Sequence, residues 1–209
     1  MERRTRAQPR RNGSSNYHHG ELRAALLAAA AELLAGGGVD AVGMREIARR
    51  ASVSHAAPYR HYASREALLA DLAAIGFEQL AARFAALPPL TAPDRRLVEM
   101  ARAYVDFARQ QPQLWRLMFG NTLDKTQYPG LLDASRLVLA SLRATVEALG
   151  VVAPATHQTL AAWAFAHGVA RLVLDHRLDA HLDAPIDADA LVQEAAEIFL
   201  RGLRATPTA

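Results

Sequence analysis

Apolar residues recur at helical spacing along nearly the whole chain, and this feature constrains the fold more than any other. The first long run shows it clearly, because apolar side chains stand at i, i+4, i+7, i+8 and i+11: Leu22, Leu26, Ala29, Ala30 and Leu33. The strict alternation of apolar and polar residues that is typical of strands is not found. We therefore predict an all-α protein of about nine helices.

Glycine, proline and small polar residues set the predicted helix boundaries. The first helix should end at the glycines 36–38. Ser64 should cap a long helix over 65–87, which Pro88 and Pro89 should stop. Further helices are predicted at 94–110, 112–119, 131–149, 155–178 and 187–204.

Composition argues against several classes of protein. The 209-residue chain has no cysteine, which excludes disulfides and thiolate metal sites and fits a reducing compartment such as the cytoplasm. Residues 1–16 are basic and polar with no apolar stretch behind them, so we expect a disordered tail rather than a secretory signal. No run of 18 apolar residues occurs, so a membrane span is not expected.

Charge is distributed unevenly along the chain. Residues 1–65 carry 11 Arg and 5 Asp or Glu, a net charge of +6, whereas residues 66–209 have a net charge of −3. This distribution is expected if only the first part meets a polyanion such as nucleic acid. Because residues 1–16 carry most of the excess, a basic tail without a partner explains it equally well.

Residues 44–62 read as two short helices joined by a three-residue turn. "MREIARRA" is followed by "SVS" and then by "HAAPYRHY", which is the spacing of a helix-turn-helix. Val53 is suited to filling the space between the helices, and Ser54 is a suitable N-cap for the second one. Pro58 then falls in the first turn of that helix, where the missing N–H costs little.

The outward side of this second helix combines small, aromatic and basic side chains that suit DNA. Small residues allow close approach to base edges, and hydroxyl or imidazole groups donate to phosphate oxygens. Arg45 on the preceding helix and Arg65 at the start of the next one are placed to reach a groove or a phosphate. The candidates on the second helix are His55, Ala56, Ala57, Tyr59, Arg60 and His61. Singly, each is common on a solvated face; together they favour DNA binding.

Residues 20–69 closely resemble the N-terminal DNA-binding module of the TetR family of bacterial transcriptional regulators. The matching text is "LLAAAAELLAGGGVDAVGMREIARRASVSHAAPYRHYASREALL", in which "YRHYASREALL" stands for the family's "YxHFxxKxxLL". Two departures are that Ser52 replaces the usual turn glycine and Arg65 the usual lysine. The resemblance implies groove-facing positions at Arg45, His55, Ala56 and Ala57. It implies phosphate contacts at Tyr59, His61, Arg65 and Tyr17, the last just before the first helix.

The back half carries a weaker resemblance. "AWAFAHGVARLVLD" is similar to the Trp-His-Gly signature of one TetR C-terminal subtype, with Trp163, His167 and Gly168 in those places. Trp163 and His167 share a helix face, so they either line an effector pocket or pack in the core. Gly168 costs a helix about 1 kcal/mol against alanine, so we expect something to pack against its backbone. The other candidate pocket residues, which more often belong to the core, are Phe107, Trp115, Met118 and Phe119.

The resemblance implies a ligand-responsive regulator that binds a palindromic double-stranded DNA operator as a homodimer. Members of the family are usually repressors, so a repressor is expected. A small-molecule effector would release it from the operator. Helices near 155–178 and 187–204 would form a four-helix contact between subunits, although burial within a monomer also explains their apolar residues.

The implied domains are a tail at 1–16, a DNA-binding domain at 17–65 and an effector-binding and dimerisation domain at 66–209. The alternative is an all-α small-molecule-binding or interaction protein without sequence-specific DNA binding. The intact "YRHY" together with Arg45 and Arg65 favours the regulator.

Enzyme and metal chemistry find little support. Neither a phosphate loop nor a nucleophile elbow is present, so we predict no enzyme and no cofactor. Oxygen and imidazole side chains do cluster near a predicted helix end: Asp175, His176, Asp179, His181 and Asp183. Without a familiar ligand spacing, we interpret this cluster as a polar helix terminus rather than a metal site.

Overall fold

The structure is a computed structural model that describes residues 14–87, 92–150, 154–175 and 187–205. These residues form eight α-helices and two short 3-10 helices and contain no strand, so the all-α prediction is confirmed. The α-helices are α1 Ser14–Ala41, α2 Met44–Arg50, α3 Arg65–Ala85, α4 Pro93–Gln110, α5 Pro112–Phe119, α6 Pro129–Ala148, α7 Ala155–Leu174 and α8 Ala188–Ala205. The 3-10 helices are Pro58–Arg60 and Lys125–Gln127.

The first helix starts earlier than the sequence suggested. Residues 14–16 belong to α1, so the predicted disorder is wrong for them, and the rest of the tail lies outside the described residues. Gly38 has φ 70° and ψ −169°, which interrupts the helix where the glycine run was expected to end it. A glycine suits this point because φ is positive there.

The apolar face predicted for α1 is buried. Leu26 and Ala30 are fully buried, and they join one continuous apolar cluster that reaches through α3, α4 and α5 to α7. The helix α3 packs against α1, α5 and α6, so it connects the front of the chain to the back. The front of the chain and the back half are therefore joined by a shared core rather than by a linker.

The contact between α3 and α5 depends on a glycine. A Cβ at Gly76 would lie 2.6 Å from the Met118 sulfur and 3.1 Å from Leu114 Cγ. Since α5 also packs on α1, this close approach couples three helices. Gly168 differs, because a Cβ there meets no atom within 4 Å in the described part of the chain. The expected close packing against Gly168 is thus wrong within one subunit.

The last two long helices are joined by aromatic stacking. The rings of Phe165 in α7 and Phe199 in α8 lie 5.4 Å apart with an interplanar angle of 9°. Both helices also pack on α4. The pair α7 and α8 therefore forms one side of the back half.

The segment Gly20–Ala41 of α1 is long and apolar enough, by length and composition, to cross a membrane, with a mean hydropathy of 1.5. Its leucine face packs in the protein core instead. A core helix of a soluble protein meets the same criterion, so this property is weak evidence for a membrane span.

Candidate nucleic-acid interface and internal cavity

The turn after α2 has the geometry that usually requires glycine. The Ser52 N–H donates to the Arg49 carbonyl at 3.2 Å, and the Val53 N–H donates to the Ala48 carbonyl at 3.0 Å. This is the Schellman arrangement, in which the residue after the C-cap is left-handed. Ser52 takes that conformation with φ 56°, alone among the non-glycine residues that the structure describes. The serine therefore tolerates the strain that the family's glycine avoids.

The turn also places its apolar residue as expected. Val53 is half-buried and packs against the main apolar cluster. A hydrophobic contact at this position commonly accompanies the Schellman arrangement. The predicted filling of the space between the two elements is consistent with this packing.

The recognition segment, residues 54–62, is not the regular helix that the sequence suggested. One turn closes with the Ala57 N–H donating to the Ser54 carbonyl at 2.9 Å, and the 3-10 helix Pro58–Arg60 follows. Pro58 has no N–H for an α-helical bond to Ser54. The Pro58 carbonyl accepts from the His61 N–H at 3.0 Å and from the Tyr62 N–H at 2.9 Å, and the segment ends there without forming an α-helix. The proline ring is buried, and the N-cap of the 3-10 helix is Ala57 rather than the predicted Ser54.

Five of the predicted DNA contacts are exposed to solvent. They are Arg45 from α2 and, from the recognition segment, His55, Ala56, Tyr59 and Arg60. Tyr59 stands out because it is 58% exposed despite its large ring. We call these five residues the HTH surface.

The other predicted contacts are placed differently. Ala57 is 8% exposed, so the expectation that its methyl faces a groove is wrong; the turn aims it inward beside Pro58. His61 is half-buried. Tyr17 lies within α1 rather than before it, and its side chain is outside the described residues.

The arginines of α2 differ in how they are neutralised. Arg49 donates to both carboxylate oxygens of Glu46 at 2.8 and 2.6 Å, and Arg50 lies 3.4 Å from Glu32. Arg45 and Arg60 form no ion pair with any residue in the described ranges. Of the arginines in α2 and the recognition segment, the two without an ion pair therefore belong to the HTH surface, where a phosphate would meet them.

Arg65 corrects a second prediction. Its guanidinium donates from Nε to the Val42 carbonyl and from Nη2 to the Val39 carbonyl, and its Nη1 lies 3.8 Å from Glu66. These bonds join the start of α3 to the end of α1 and to the residue Val42 that follows it. The structure thus turns Arg65 toward backbone carbonyls rather than toward solvent, because a guanidinium fork matches two carbonyls where an ammonium would not.

A cavity of about 140 Å³ lies within the back half. Residues of α3, α4, α5, α6, α7 and α8 and the second 3-10 helix line it. Leu139 and Trp163 both line the cavity, yet they are 40% and 37% exposed. The cavity therefore opens to solvent between α6 and α7.

Two of the six predicted pocket residues line this cavity, namely Phe119 and Trp163. Phe107, Trp115 and Met118 are at most 1% exposed and belong to the core, so the prediction that they face a pocket is wrong. Their large apolar side chains fill the space behind the wall, which is the more common fate of such residues.

His167 lies directly behind the cavity wall. Its Nδ1 is 2.9 Å from the Tyr104 hydroxyl, and its ring stacks on Trp115 with centroids 4.7 Å apart. Burial, followed by the nearby charges of Arg171 and Lys125, lowers the pKa of His167 and favours a neutral imidazole. His167 therefore orients Tyr104, which does line the cavity.

Sequence reasoning missed the charged residue in the wall. The Nζ of Lys125 lies 4.7 Å from the ring centroid of Phe77 and 5.2 Å from that of Phe119. Burial lowers the pKa of Lys125. The sequence did carry one signal: Lys125 is the only lysine in the chain, which otherwise has arginine.

The possible metal cluster is largely outside the described residues, since positions 176–186 are not described. Asp175 is described, and its carboxylate lies 2.8 Å from Arg171 and 3.8 Å from Arg116. Within the described residues there is no group of three or more potential metal ligands of the histidine and carboxylate kind.

The fold and these two sites define a class: an all-α protein with an N-terminal helix-turn-helix and a helical domain around a cavity. Residues 26–72 match the profile of bacterial regulatory proteins of the tetR family. Residues 97–199 match the profile of the tetracyclin repressor-like C-terminal domain. No protein of curated function matches the chain.

Solved structures share the fold. A protein of unknown function from Rhodococcus sp. RHA1 is 36% identical, with a TM-score of 0.76, over 90% of this chain and 98% of its own. The regulator FadR from Bacillus subtilis, in complex with stearoyl-CoA, is 14% identical, with a TM-score of 0.68, over 86% and 98%. A TetR variant from Acinetobacter baumannii AYE, in complex with minocycline, is 21% identical, with a TM-score of 0.62, over 88% and 97%.

The chain belongs to the TetR family of transcriptional regulators. Its N-terminal module is the DNA-binding helix-turn-helix of that family, and its C-terminal helical domain is of the effector-binding type. Operator binding as a homodimer and a repressor role are typical of the family.

Proposed function

We propose that this regulator binds its operator through the HTH surface and is released when a small molecule occupies the cavity behind Trp163. The observation that carries the proposal is the connection made by α3. This helix begins at Arg65, beside the recognition segment, and carries Phe77 in the cavity wall. A single rigid element therefore touches both proposed sites.

The coupling requires only that ligand binding favours one of two arrangements of α3. A ligand that binds better to the arrangement with wrongly spaced recognition segments shifts the population away from DNA, by no more than its difference in affinity. The close packing of Gly76 against α5 transmits a displacement of α3, since no space is available to absorb it.

Homodimerisation is proposed through α7 and α8. Leu160 and Leu172 on α7 are 45% and 42% exposed, and Ile198 on α8 is 61% exposed. The open space beside Gly168 lies on the same helix as the two leucines and would admit a partner helix closely. A two-fold axis there would present two recognition segments to a palindrome.

The same reasoning leads to proposals for the subtype, the domain bounds, the location and the role. The Trp-His-Gly subtype is proposed from Trp163, His167 and Gly168 on α7. The proposed domains are 17–65 for DNA and 66–209 for effector and dimer, with α3 starting at their boundary. We propose a cytoplasmic location and a binding rather than a catalytic role, in keeping with the family.

Substitutions on the HTH surface should distinguish the residues that read bases from those that contact phosphate. Arg45→Ala should weaken binding to the operator by about 1–3 kcal/mol and relax the base preference at one position of each half-site. Tyr59→Phe should weaken binding to all DNA sequences alike by about 0.5–1.5 kcal/mol, because it removes one phosphate-facing hydroxyl. Fluorescence anisotropy with a set of single-base operator variants measures both effects.

Arg143→Ala is the matched control, since Arg143 is exposed on α6 and bonded to Glu147 at 2.7 Å. It should leave DNA affinity unchanged. A change in base preference caused by Tyr59→Phe would show that the phosphate assignment is wrong. Unchanged affinity for Arg45→Ala would remove Arg45 from the interface.

A further inference from the structure

Among the described residues, no carboxylate is paired with Lys125 in the cavity wall. This lysine begins the second 3-10 helix, Lys125–Gln127, in the connection between α5 and α6. The carboxylate of the neighbouring Asp124 is already hydrogen-bonded to other groups. It accepts from the Thr126 N–H at 3.0 Å, the Thr126 hydroxyl at 2.7 Å and Gln127 Nε2 at 3.2 Å. No ion pair joins Lys125 to any acidic residue in the described ranges.

Two ring faces hold the ammonium group in place instead. Phe77 and Phe119 pack edge to face with centroids 5.2 Å apart, and Lys125 Nζ lies within 5.2 Å of both centroids. Aromatic faces attract a cation, and this attraction opposes the effect of burial, which lowers the pKa of Lys125. The rings offer no hydrogen-bond acceptor oxygen, so the donors of the ammonium remain available to a ligand.

The remainder of the wall is apolar or already bonded. Lys125 is the one charged side chain among the described lining residues. Of the hydroxyl groups, Tyr104 is bonded to His167 at 2.9 Å, and Ser135 donates to the Leu132 carbonyl at 2.7 Å. A ligand that fills this space must therefore be apolar over most of its surface and meet one positive charge.

We infer that the effector is a compact carboxylate whose apolar body fills the cavity and whose carboxylate pairs with Lys125. This inference rests on the proposed function of the cavity as the effector site. The size follows from the cavity volume of about 140 Å³, since an apolar cavity of about 150 Å³ holds a benzene-sized molecule. The negative charge of the ligand follows from Lys125, because an anion within hydrogen-bond distance stabilises a half-buried cation.

Calorimetric titration with benzoate and with its neutral isostere benzamide tests the inference. The wild-type protein should bind benzoate at least about tenfold more tightly than benzamide. Lys125→Met, which keeps the apolar stem against the two rings, should lose about tenfold to a hundredfold in benzoate affinity and bind benzamide as before. Arg143→Met on the outer face of α6 is the matched control and should change neither affinity.

The single lysine allows a second measurement. Reductive methylation with ¹³C-formaldehyde labels amines and keeps their charge, so only Lys125 and the N-terminal amine give signals. Benzoate should shift the Lys125 signal and raise the pKa of Lys125, because a nearby negative charge favours the ammonium form. The N-terminal signal should stay in place.

Several results would overturn the inference: equal benzoate affinity in wild type and Lys125→Met, benzamide bound as tightly as benzoate, or no binding of benzoate, phenylacetate or hexanoate. A measurement of DNA release distinguishes a failure of this inference from a failure of the proposed function. If benzoate binds through Lys125 but operator DNA stays bound, the ligand class stands and the proposed function fails. If a neutral apolar compound releases DNA from wild type and Lys125→Met alike, the proposed function stands and the ligand class fails.

Discussion

Trp115→Ala should lower the free energy of unfolding by about 3–5 kcal/mol, the largest effect we expect from one substitution. Trp115 is 1% exposed and contacts Tyr104, Phe119 and His167, with ring centroids between 4.7 and 6.4 Å away. Removing the indole leaves a cavity among packed rings that cannot collapse into it easily. Chemical denaturation followed by circular dichroism gives the value, if the slope of the transition is unchanged.

Trp163→Ala is the paired variant, because the second tryptophan stands at the mouth of the cavity. It should cost only about 1–2 kcal/mol of stability, since Trp163 remains 37% exposed. It should blunt release by the effector and leave the ligand-free protein on DNA. If Trp163→Ala instead dissociated the dimer and abolished DNA binding, Trp163 would belong to the interface or core rather than to the effector site.

Arg65→Met should lower the free energy of unfolding by about 2–3 kcal/mol and weaken binding to every DNA sequence. The reason is the loss of two charge-assisted bonds to the Val39 and Val42 carbonyls, which hold α3 against the end of α1. Partial solvent exposure of the side chain, 30%, keeps the expected loss below the sum of two buried bonds. Thermal unfolding and anisotropy on the same samples measure both quantities.

Two further variants decide between a structural and a phosphate-binding Arg65. Arg65→Lys keeps the charge but not the guanidinium fork, so it should restore little of the lost stability. Arg60→Met removes an exposed arginine of the HTH surface, so it should weaken DNA binding without changing stability. Full DNA affinity and stability in Arg65→Lys would contradict the bonds described for Arg65.

Helical periodicity predicted the fold well because long amphipathic runs bury one face. The leucines of α1 and the limits of α5 agree with the sequence prediction. The recognition segment was predicted less well, since a proline in so short a run decides between α and 3-10 geometry by one hydrogen bond. Ser52 shows the same limit, because its positive φ follows from the turn rather than from the residue.

Site residues were harder to predict than helices because the residue type does not show which way a side chain points. Both tryptophans were candidate pocket residues, yet Trp115 fills the core and Trp163 lines the cavity. Arg65 carries the expected charge but turns it to backbone carbonyls. Lys125 lies between helices in a short segment without periodicity, and only its rarity in the composition marked it.

The most direct test of the account is the affinity of the purified protein for the DNA beside its own gene. At about 150 mM salt, a palindromic site there should bind at least about 10³-fold more tightly than a scrambled sequence of equal length. A compact carboxylate should release the protein from that site. Equal affinity for the palindromic and scrambled DNA would contradict the account and favour an all-α binding protein without operator recognition.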